Sequence, residues 1–311
     1  MKIVVTGALG HIGSAVVRAL PAAQPGVEIV MIDNLSTQRY ASLFDLPAIG
    51  RYRFVDLDVR NADLRPYFEG AQTVVHLAAK TDAAGSVNDA AAVEANNFEA
   101  TEKVAGACIA TGTRMIHLSS TSVYGTQRET VSEDCSPDEL KPQSPYATTK
   151  LKEEELVRSL GAKGLKAVVC RFGTIFGVSP GMRFHTAVNK FCWQAVMGQP
   201  LSVWRTAYDQ KRPYLDLADA VRAFGFIIER GLFDGRVYNV LTLNATVCDI
   251  VETIHEFVPE TEVAFVDSPI MNQLSYEVSS QRFLDTGFIF AGSLRRGIGE
   301  TVSLLKAAGG R

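Results

Sequence analysis

The chain has 311 residues, 47% of them hydrophobic, with 31 basic against 34 acidic side chains and a formal net charge of −3. That length exceeds what one small core usually serves, so two domains, or one large domain with a lobe, are expected. The near balance of charge, with no basic stripe or charged tail, speaks against nucleic acid and membrane as partners and leaves a small neutral or anionic substrate.

In chain order, short β-branched runs alternate with longer segments of helical period, the pattern of parallel βαβ units. The first strand, residues 2–6, runs straight into glycines, so no charged and apolar signal peptide is expected. A helix over 12–20 is closed by Pro21, one over 88–111 by Gly112, and one over 146–160 by Gly161. Further strands are predicted over 28–33, 53–57, 73–77, 114–119 and 166–171. Six such strands make an α/β fold with a doubly wound parallel sheet of the Rossmann type. After about Gly177 the alternation weakens and prolines, glycines and aromatics recur. Residues 1–176 are therefore expected to form a dinucleotide-binding domain, with segments near 213–240 returning to it, and 177–311 a smaller C-terminal substrate lobe. No internal repeat or low-complexity stretch is present, and no apolar run approaches the roughly 18 residues of a membrane span, so a cytoplasmic location is expected.

The first chemical signal is Thr6-Gly7-Ala8-Leu9-Gly10-His11-Ile12-Gly13, at a strand end and opening a helix, as phosphate binding at a helix N-terminus requires. Asp33 ends the next strand twenty residues after Gly13. A carboxylate there accepts ribose hydroxyls and repels a 2'-phosphate, which favours NAD over NADP. The bland alternative is that these glycines merely shape a turn. The second signal is Tyr146-Ala147-Thr148-Thr149-Lys150, whose spacing stacks a phenol and an ammonium on one helix face. It follows Ser144-Pro145 at a helix start, and Ser119-Ser120-Thr121-Ser122-Val123-Tyr124-Gly125 ends the preceding strand, so hydroxyl, phenol and amine can meet at the carboxyl edge of the sheet.

Together with Asp56 to Val59, Val75 to Ala79, Asn97, Arg171 to Gly177, Arg212 to Asp216 and Tyr238 to Val240, these motifs resemble the extended short-chain dehydrogenase/reductases, and within them the NAD-dependent sugar-nucleotide epimerases and dehydratases of the UDP-glucose 4-epimerase kind. The resemblance spans nearly the whole chain. It implies Tyr146 as acid/base, Ser120 as hydrogen-bond partner of the reacting oxygen, and Lys150 on the nicotinamide ribose. It also implies an NAD site from Gly7, Gly10, His11, Ile12, Gly13, Asp33, Asn34, Ser36, Asp58, Val59, Leu77, Ala78, Ala79, Asn97, Ser119, Tyr146 and Lys150. Ser120, Thr121, Tyr146, Thr174 and Arg212 would face a nucleotide-sugar substrate.

Physical chemistry agrees with a tyrosine base. Bringing a phenol from a pKa near 10 to neutrality needs a fall of roughly 3 units, about 4 kcal/mol. A lysine charge about 4 Å away supplies about 4 kcal/mol at an effective dielectric of about 20, and an oxidised nicotinamide adds a second positive charge. The reaction so implied is transient oxidation of a hydroxyl carbon, rotation of the ketone and reduction on the other face. Dehydratases and decarboxylases of this family usually place an acidic residue just before Val-Tyr-Gly, where this chain has Ser122, and the dehydratases' further Asp falls at Thr121. The Cys that other epimerases commonly use there is also absent. Epimerisation at C4 is the expected reaction, with a dehydratase, a dehydrogenase or ketoreductase, and a non-catalytic NAD-binding scaffold as rivals.

Several positions depart from the family pattern. Thr174 replaces an Asn that contacts substrate phosphate, Arg205 to Asp209 replace a Gly-Asp-Gly, and Asp267 to Met271, with Ser268 and Met271 among them, lack the Arg and Asp that often hold the nucleotide ribose. Arg212 is retained and suits a diphosphate; Arg183 and Arg205 read equally as surface or interdomain ion pairs. The five cysteines, 108, 135, 170, 192 and 248, have no metal or disulfide spacing and read as reduced packing residues. His185 and Cys192 could share a helix face as an extra acid/base pair, but the plainer reading packs Cys192 inside. His76 and His117 read as satisfied core imidazoles and not metal ligands. The resemblance further implies a homodimer through the helices over 88–111 and 146–160, whose alanines, Ala90, Ala91, Ala92, Ala95, Ala105 and Ala107, suit either helix contact or packing on the sheet.

Overall fold

The computed structural model describes residues 1–81, 90–125, 130–267 and 276–309. The first half of the chain lays down β1 (Lys2–Thr6), α1 (His11–Ala23), β2 (Glu28–Asp33), β3 (Arg51–Asp56), α2 (Arg65–Phe68), β4 (Thr73–His76), α3 (Ala90–Thr111), β5 (Arg114–Ser120), α4 (Pro145–Gly161) and β6 (Ala167–Phe172). There follow β7 (Thr174–Phe176), α5 (Ala187–Val196), β8 (Leu201–Trp204), β9 (Arg212–Asp216), α6 (Leu217–Arg230), β10 (Val237–Val240), β11 (Leu243–Ala245), α7 (Val247–Phe257), β12 (Val263–Val266), α8 (Gln281–Leu284) and α9 (Leu294–Gly309).

Seven strands form the central sheet in the order β10-β6-β5-β4-β1-β2-β3, every pair parallel. The six strands expected are all present, with ends moved by up to two residues, and β10 is added as the outer neighbour of β6. Strand order reverses between β1 and β4, so the loops leaving those two strands open the crevice where such sheets bind ligands. Side-chain alternation builds a core on each face. Ile3 and Val5 of β1 pack with Val16 and Leu20 of α1 and Phe224 and Ile227 of α6, while Val4 packs with Val104 of α3 and Val157 of α4. Phe283 and Phe288 join the first of these cores. A third core, from Phe176, Phe191, Cys192, Leu201, Tyr214, Ile250 and Ile298, fills the space between α5, α7, α9 and the small strands.

Local chemistry explains the ends of several helices. The Ser144 hydroxyl accepts from Ala147 N at 3.2 Å and Pro145 occupies the first position of α4, where its missing N–H costs nothing. Asp216 caps α6 through Ala218 N at 2.8 Å, and Gly231 closes it in the left-handed conformation at φ 66°. Of two expected stops, one is corrected. Pro21 does not end α1, which continues to Ala23: the ring forfeits one hydrogen bond in the last turn, Gln24 N still closes on Leu20 O at 2.8 Å, and the proline is buried. The other lies where it was expected: α4 ends at Gly161, its last helical residue, and the chain takes a positive φ only at Gly164, +94°. Asn88, the expected start of the third helix, lies outside the described residues, as do Ser268 and Met271.

Candidate active site

The glycine motif folds as a tight loop into α1. Gly7 has φ +66°, and a Cβ there would stand 2.7 Å from Ala78 N; one on Gly13 would stand 2.3 Å from Gly7 O. These two glycines let the loop, α1 and the turn after β4 come together. A Cβ on Gly10 would meet only Gly7 O at 3.3 Å and the Arg39 guanidinium at 3.8 Å, so this edge of the loop opens beside a cation. The first N–H groups of α1 have no partner within the helix and carry its positive dipole end. Residues 178–181 close over the loop: the Ser179 hydroxyl donates to His11 O at 2.8 Å and Gly181 N donates to the Ser14 hydroxyl at 3.0 Å. His11 is buried with Nε2 2.8 Å from Gly177 O, and burial, offset in part by that carbonyl, holds its imidazole down to about 4.

Asp33 accepts from Leu9 N and from Leu35 N, both at 3.0 Å, which leaves about half of its four lone-pair sites. Asn34 donates to Asp58 Oδ2 at 3.3 Å and takes Ser36 N at 3.1 Å, so the loops after β2 and β3 are joined. Hydrogen bonds from Arg60 hold the Asp58 carboxyl down to about 2, and Val59 beside it is buried. Leu77 N donates to Thr6 O at 3.1 Å, and Ala78 N to the Thr6 hydroxyl at 3.3 Å. Asn97 of α3 grips Lys80 at both N and O, at 2.8 and 2.9 Å, so it shapes the turn that carries Ala78 and Ala79. Amides at a helix start, a guanidinium and a carboxylate at the end of β2 fit a dinucleotide: α1 and Arg39 for its diphosphate, Asp33 for a ribose.

Helix α4 crosses the end of β5. The Lys150 ammonium lies 5.8 Å from the centre of the Tyr146 ring, one turn away, and Tyr146 is partly buried. Ser120, the last residue of β5, accepts from Ser122 N at 3.2 Å and from the Ser122 hydroxyl at 2.9 Å, which caps the short helix Thr121–Tyr124. Ser119, on the other side of the strand, donates to Glu154 inside the protein. The Thr121 hydroxyl is buried against Phe172 O at 3.2 Å. Thr174 stands in β7 opposite Tyr214, and Arg212 opens β9 with its Nε buried and without a hydrogen-bond partner among the described residues.

One expectation about this site needs correction. Lys150 does not act on Tyr146 as a lone charge. Its Nζ donates to Glu153 at 2.9 Å, and the carboxylate offsets it. Burial pushes the Tyr146 phenol up, Lys150 pulls it down and Glu153 pushes it up again, so the protein's own groups leave it above the ordinary tyrosine value. Burial works against the Lys150 ammonium, but Glu153 and Tyr146 more than restore it.

Elsewhere the plain readings hold except at one residue. His117 departs from the satisfied core imidazole expected: it is buried, but neither ring nitrogen makes a hydrogen bond among the described residues. Cys108, Cys170 and Cys192 are buried, all five thiols are free, and burial pushes Cys192 up to about 12. His185 precedes α5, so it shares no helix face with Cys192. Arg205 pairs with Asp267 at 3.9 Å on the surface, whereas Arg183 bonds the Thr81 hydroxyl. His76 is satisfied in the core, Nδ1 2.8 Å from the Thr6 hydroxyl, and no metal-binding cluster occurs among the described residues. Glu153 and Arg39 escaped the sequence reading. The i, i+3 spacing from Lys150 was a usable signal for the first; nothing local marks the second.

The sequence profile of the NAD dependent epimerase/dehydratase family matches residues 3–240. Over 314 residues the chain is 29% identical to the trifunctional UDP-glucose 4,6-dehydratase/UDP-4-keto-6-deoxy-D-glucose 3,5-epimerase/UDP-4-keto-L-rhamnose-reductase of Arabidopsis thaliana, covering 97% of this chain and 46% of that protein. The chain thus spans less than half the length of that relative. It is 31% identical over 240 residues to UDP-glucose 4-epimerase of Azospirillum brasilense, covering 70% of this chain and 66% of that one. The crystal structure of UDP-glucuronic acid 4-epimerase from Bacillus cereus with UDP-glucuronic acid and NAD aligns with a TM-score of 0.89 at 26% identity, over 99% of this chain and 100% of that one. The dTDP-glucose 4,6-dehydratase from Streptomyces venezuelae, with NAD bound, has a TM-score of 0.89 at 24% identity and shares the fold. The cofactor of this family is NAD, and it is the cofactor of this chain. Motifs, sheet order and relatives agree: the chain belongs to the NAD-dependent epimerase/dehydratase family of extended short-chain dehydrogenase/reductases.

Proposed function

We propose that this chain epimerises a nucleotide-linked sugar at C4, through a keto-sugar reduced again on the opposite face. The observation that carries this reading is Ser122. Where dehydratases of the family have an acid, this chain presents a hydroxyl that donates to Ser120 Oγ at 2.9 Å, and Thr121 beside it is turned into the core. Without a carboxyl at either place, eliminating water lacks its acid/base group. Similarity to UDP-glucose 4-epimerase and UDP-glucuronic acid 4-epimerase supports the substrate class.

In this reading Tyr146 takes the proton of the reacting hydroxyl and returns it to the ketone oxygen once the keto-sugar has turned over and hydride has come back to its opposite face. Ser120 holds that oxygen, and Lys150, with two ammonium donors left beyond Glu153, holds the nicotinamide ribose. Bound NAD supplies reversible hydride acceptance, so none is consumed. Arg212, and Thr174 with one hydroxyl, would take the diphosphate. Residues 1–176 with 213–240 would carry the cofactor and 177–311 the substrate. We also propose a homodimer through α3 and α4; Ala90, Ala91 and Ala95 are exposed, while Ala105 and Ala107 are spent in the protein's own core.

Incubating the purified protein with UDP-, dTDP- and GDP-sugars, and following product mass with NADH absorbance, tests the reaction. An isomer of unchanged mass without accumulating NADH supports it. Loss of water would make the chain a dehydratase, net NADH a dehydrogenase, and NAD binding without turnover of any sugar a scaffold.

A further inference from the structure

Behind Tyr146 and Lys150 lies a buried polar cluster, Glu153, Thr101, His117 and His76, that the reaction above does not use. Because α4 crosses β5, Glu153 points between β5 and α3 and is 1% exposed. Its Oε2 accepts from Lys150 Nζ at 2.9 Å and from the Thr101 hydroxyl of α3 at 3.0 Å, and lies 3.4 Å from His117 Nε2 of β5. Thr101 is in turn 3.3 Å from His76 Nε2 of β4, and the two imidazole rings stack with centres 6.0 Å apart. The titratable groups facing the cluster are Tyr146, Lys150 and Glu154 from α4, His117 from β5 and His76 from β4, with Arg183 acting on Tyr146 from the segment before α5.

A buried carboxylate stays ionised at neutral pH only beside a cation. His117 is not that cation: burial first, then Lys150, keeps its ring well below the ordinary histidine value, and neither ring nitrogen makes an aligned hydrogen bond. The partner is Lys150. The same ammonium that should draw the proton from Tyr146 is therefore already matched by a negative charge one helical turn on.

We propose that Glu153 is a positioning residue for the reaction: held by Thr101, it fixes the Lys150 ammonium and offsets its charge, so that Tyr146 ionises beside oxidised NAD and returns to phenol beside the reduced form. The proton at Tyr146 is thereby tied to the redox state of the bound dinucleotide. This rests on Tyr146 being the acid/base, but not on which sugar reacts.

The test is the tyrosinate difference spectrum of the holoenzyme against pH, with Tyr146→Phe subtracted, for the NAD and NADH forms. In the native chain Tyr146 should titrate lower with NAD than with NADH. In Glu153→Gln, an isosteric change that keeps a hydrogen bond to Lys150, the NADH-form midpoint should fall by about one pH unit or more, and the acidic limb of kcat/KM should move the same way. Lys150→Met should raise the midpoint, and Lys150→Met/Glu153→Gln should bring it back, because both charges are then gone. A Glu153→Gln midpoint equal to the native one, or no return in the double variant, overturns the proposal. Should Glu153→Gln fail to fold, the double variant, with no unmatched buried charge, carries the test. Epimerisation with an unmoved midpoint refutes this proposal alone. A moved midpoint with no sugar turned over refutes the sugar reading and leaves this one standing.

Discussion

Glu154→Gln removes one charge from a buried pair that ties the sheet to α4, the helix of Tyr146 and Lys150. Glu154 takes Arg171 Nη2 at 2.7 Å and Nε at 3.0 Å, with side chains only 8% and 6% exposed. Arg171 Nη1 donates to the Tyr124 hydroxyl at 2.8 Å, and that hydroxyl donates to Asn239 Oδ1 at 2.8 Å. One guanidinium thus links α4, β6, the turn after β5 and β10. Burial opposes its charge and the Glu154 hydrogen bonds and charge support it; a guanidinium is not deprotonated in proteins, so Arg171 stays charged in the variant with that support gone. An unmatched buried charge costs roughly 3–5 kcal/mol. With a urea m-value of about 3 kcal/mol/M, the unfolding midpoint should fall by about 1 M or more, measured by circular dichroism at saturating NAD. Arg171→Met/Glu154→Leu, which removes both charges, should lose less than the single change. A Glu154→Gln midpoint within about 0.2 M of the native one would refute the reasoning.

Acid should weaken the fold early. His11 is held down to about 4, His76 to about 3 and His117 well below 6.5, in each case chiefly by burial. The unfolded chain binds more protons than the native one between 6.5 and those values, so stability is intact above pH 6.5 and is lost as pH falls toward 4. Each histidine contributes up to about 1.4 kcal/mol per pH unit, and a flat urea midpoint across that window would count against the assignment. Gly13→Ala should cost at least about tenfold in NAD affinity by calorimetry, since its Cβ would stand 2.3 Å from Gly7 O and 2.9 Å from the Ala8 backbone, which cannot yield; unchanged affinity would show that the loop can shift. Arg212→Met should raise KM for a nucleotide sugar by about 10- to 100-fold with kcat nearly kept, and an unchanged KM would take Arg212 out of the site.

The parts of the site that were legible are those in which a few consecutive residues carry the whole signal. Gly7 to Gly13 after a β-branched run, Asp33 at the next strand end, and Tyr146 with Lys150 after Ser144-Pro145 each announce a local geometry. Where the reading slipped, a local rule met a tertiary contact. Pro21 was expected to stop α1, yet its buried position holds the last turn in place. The seventh strand, Val237–Val240, is short and ordinary by itself and becomes part of the sheet only by pairing with β6.

Sequence alone determined the fold class, the cofactor and the candidate catalytic residues, because strand period, glycine spacing and the four-residue stacking of a helix are properties of nearby residues. The charge that Tyr146 feels was decided only in the folded chain. It depends on how α4 sits across β5 and against α3, which brings Glu153 to Lys150, Thr101 and His117 from three separate stretches of sequence. In the low-dielectric interior such contacts outweigh any reading of the residues taken singly, since a few ångströms there decide whether a charge is matched or exposed.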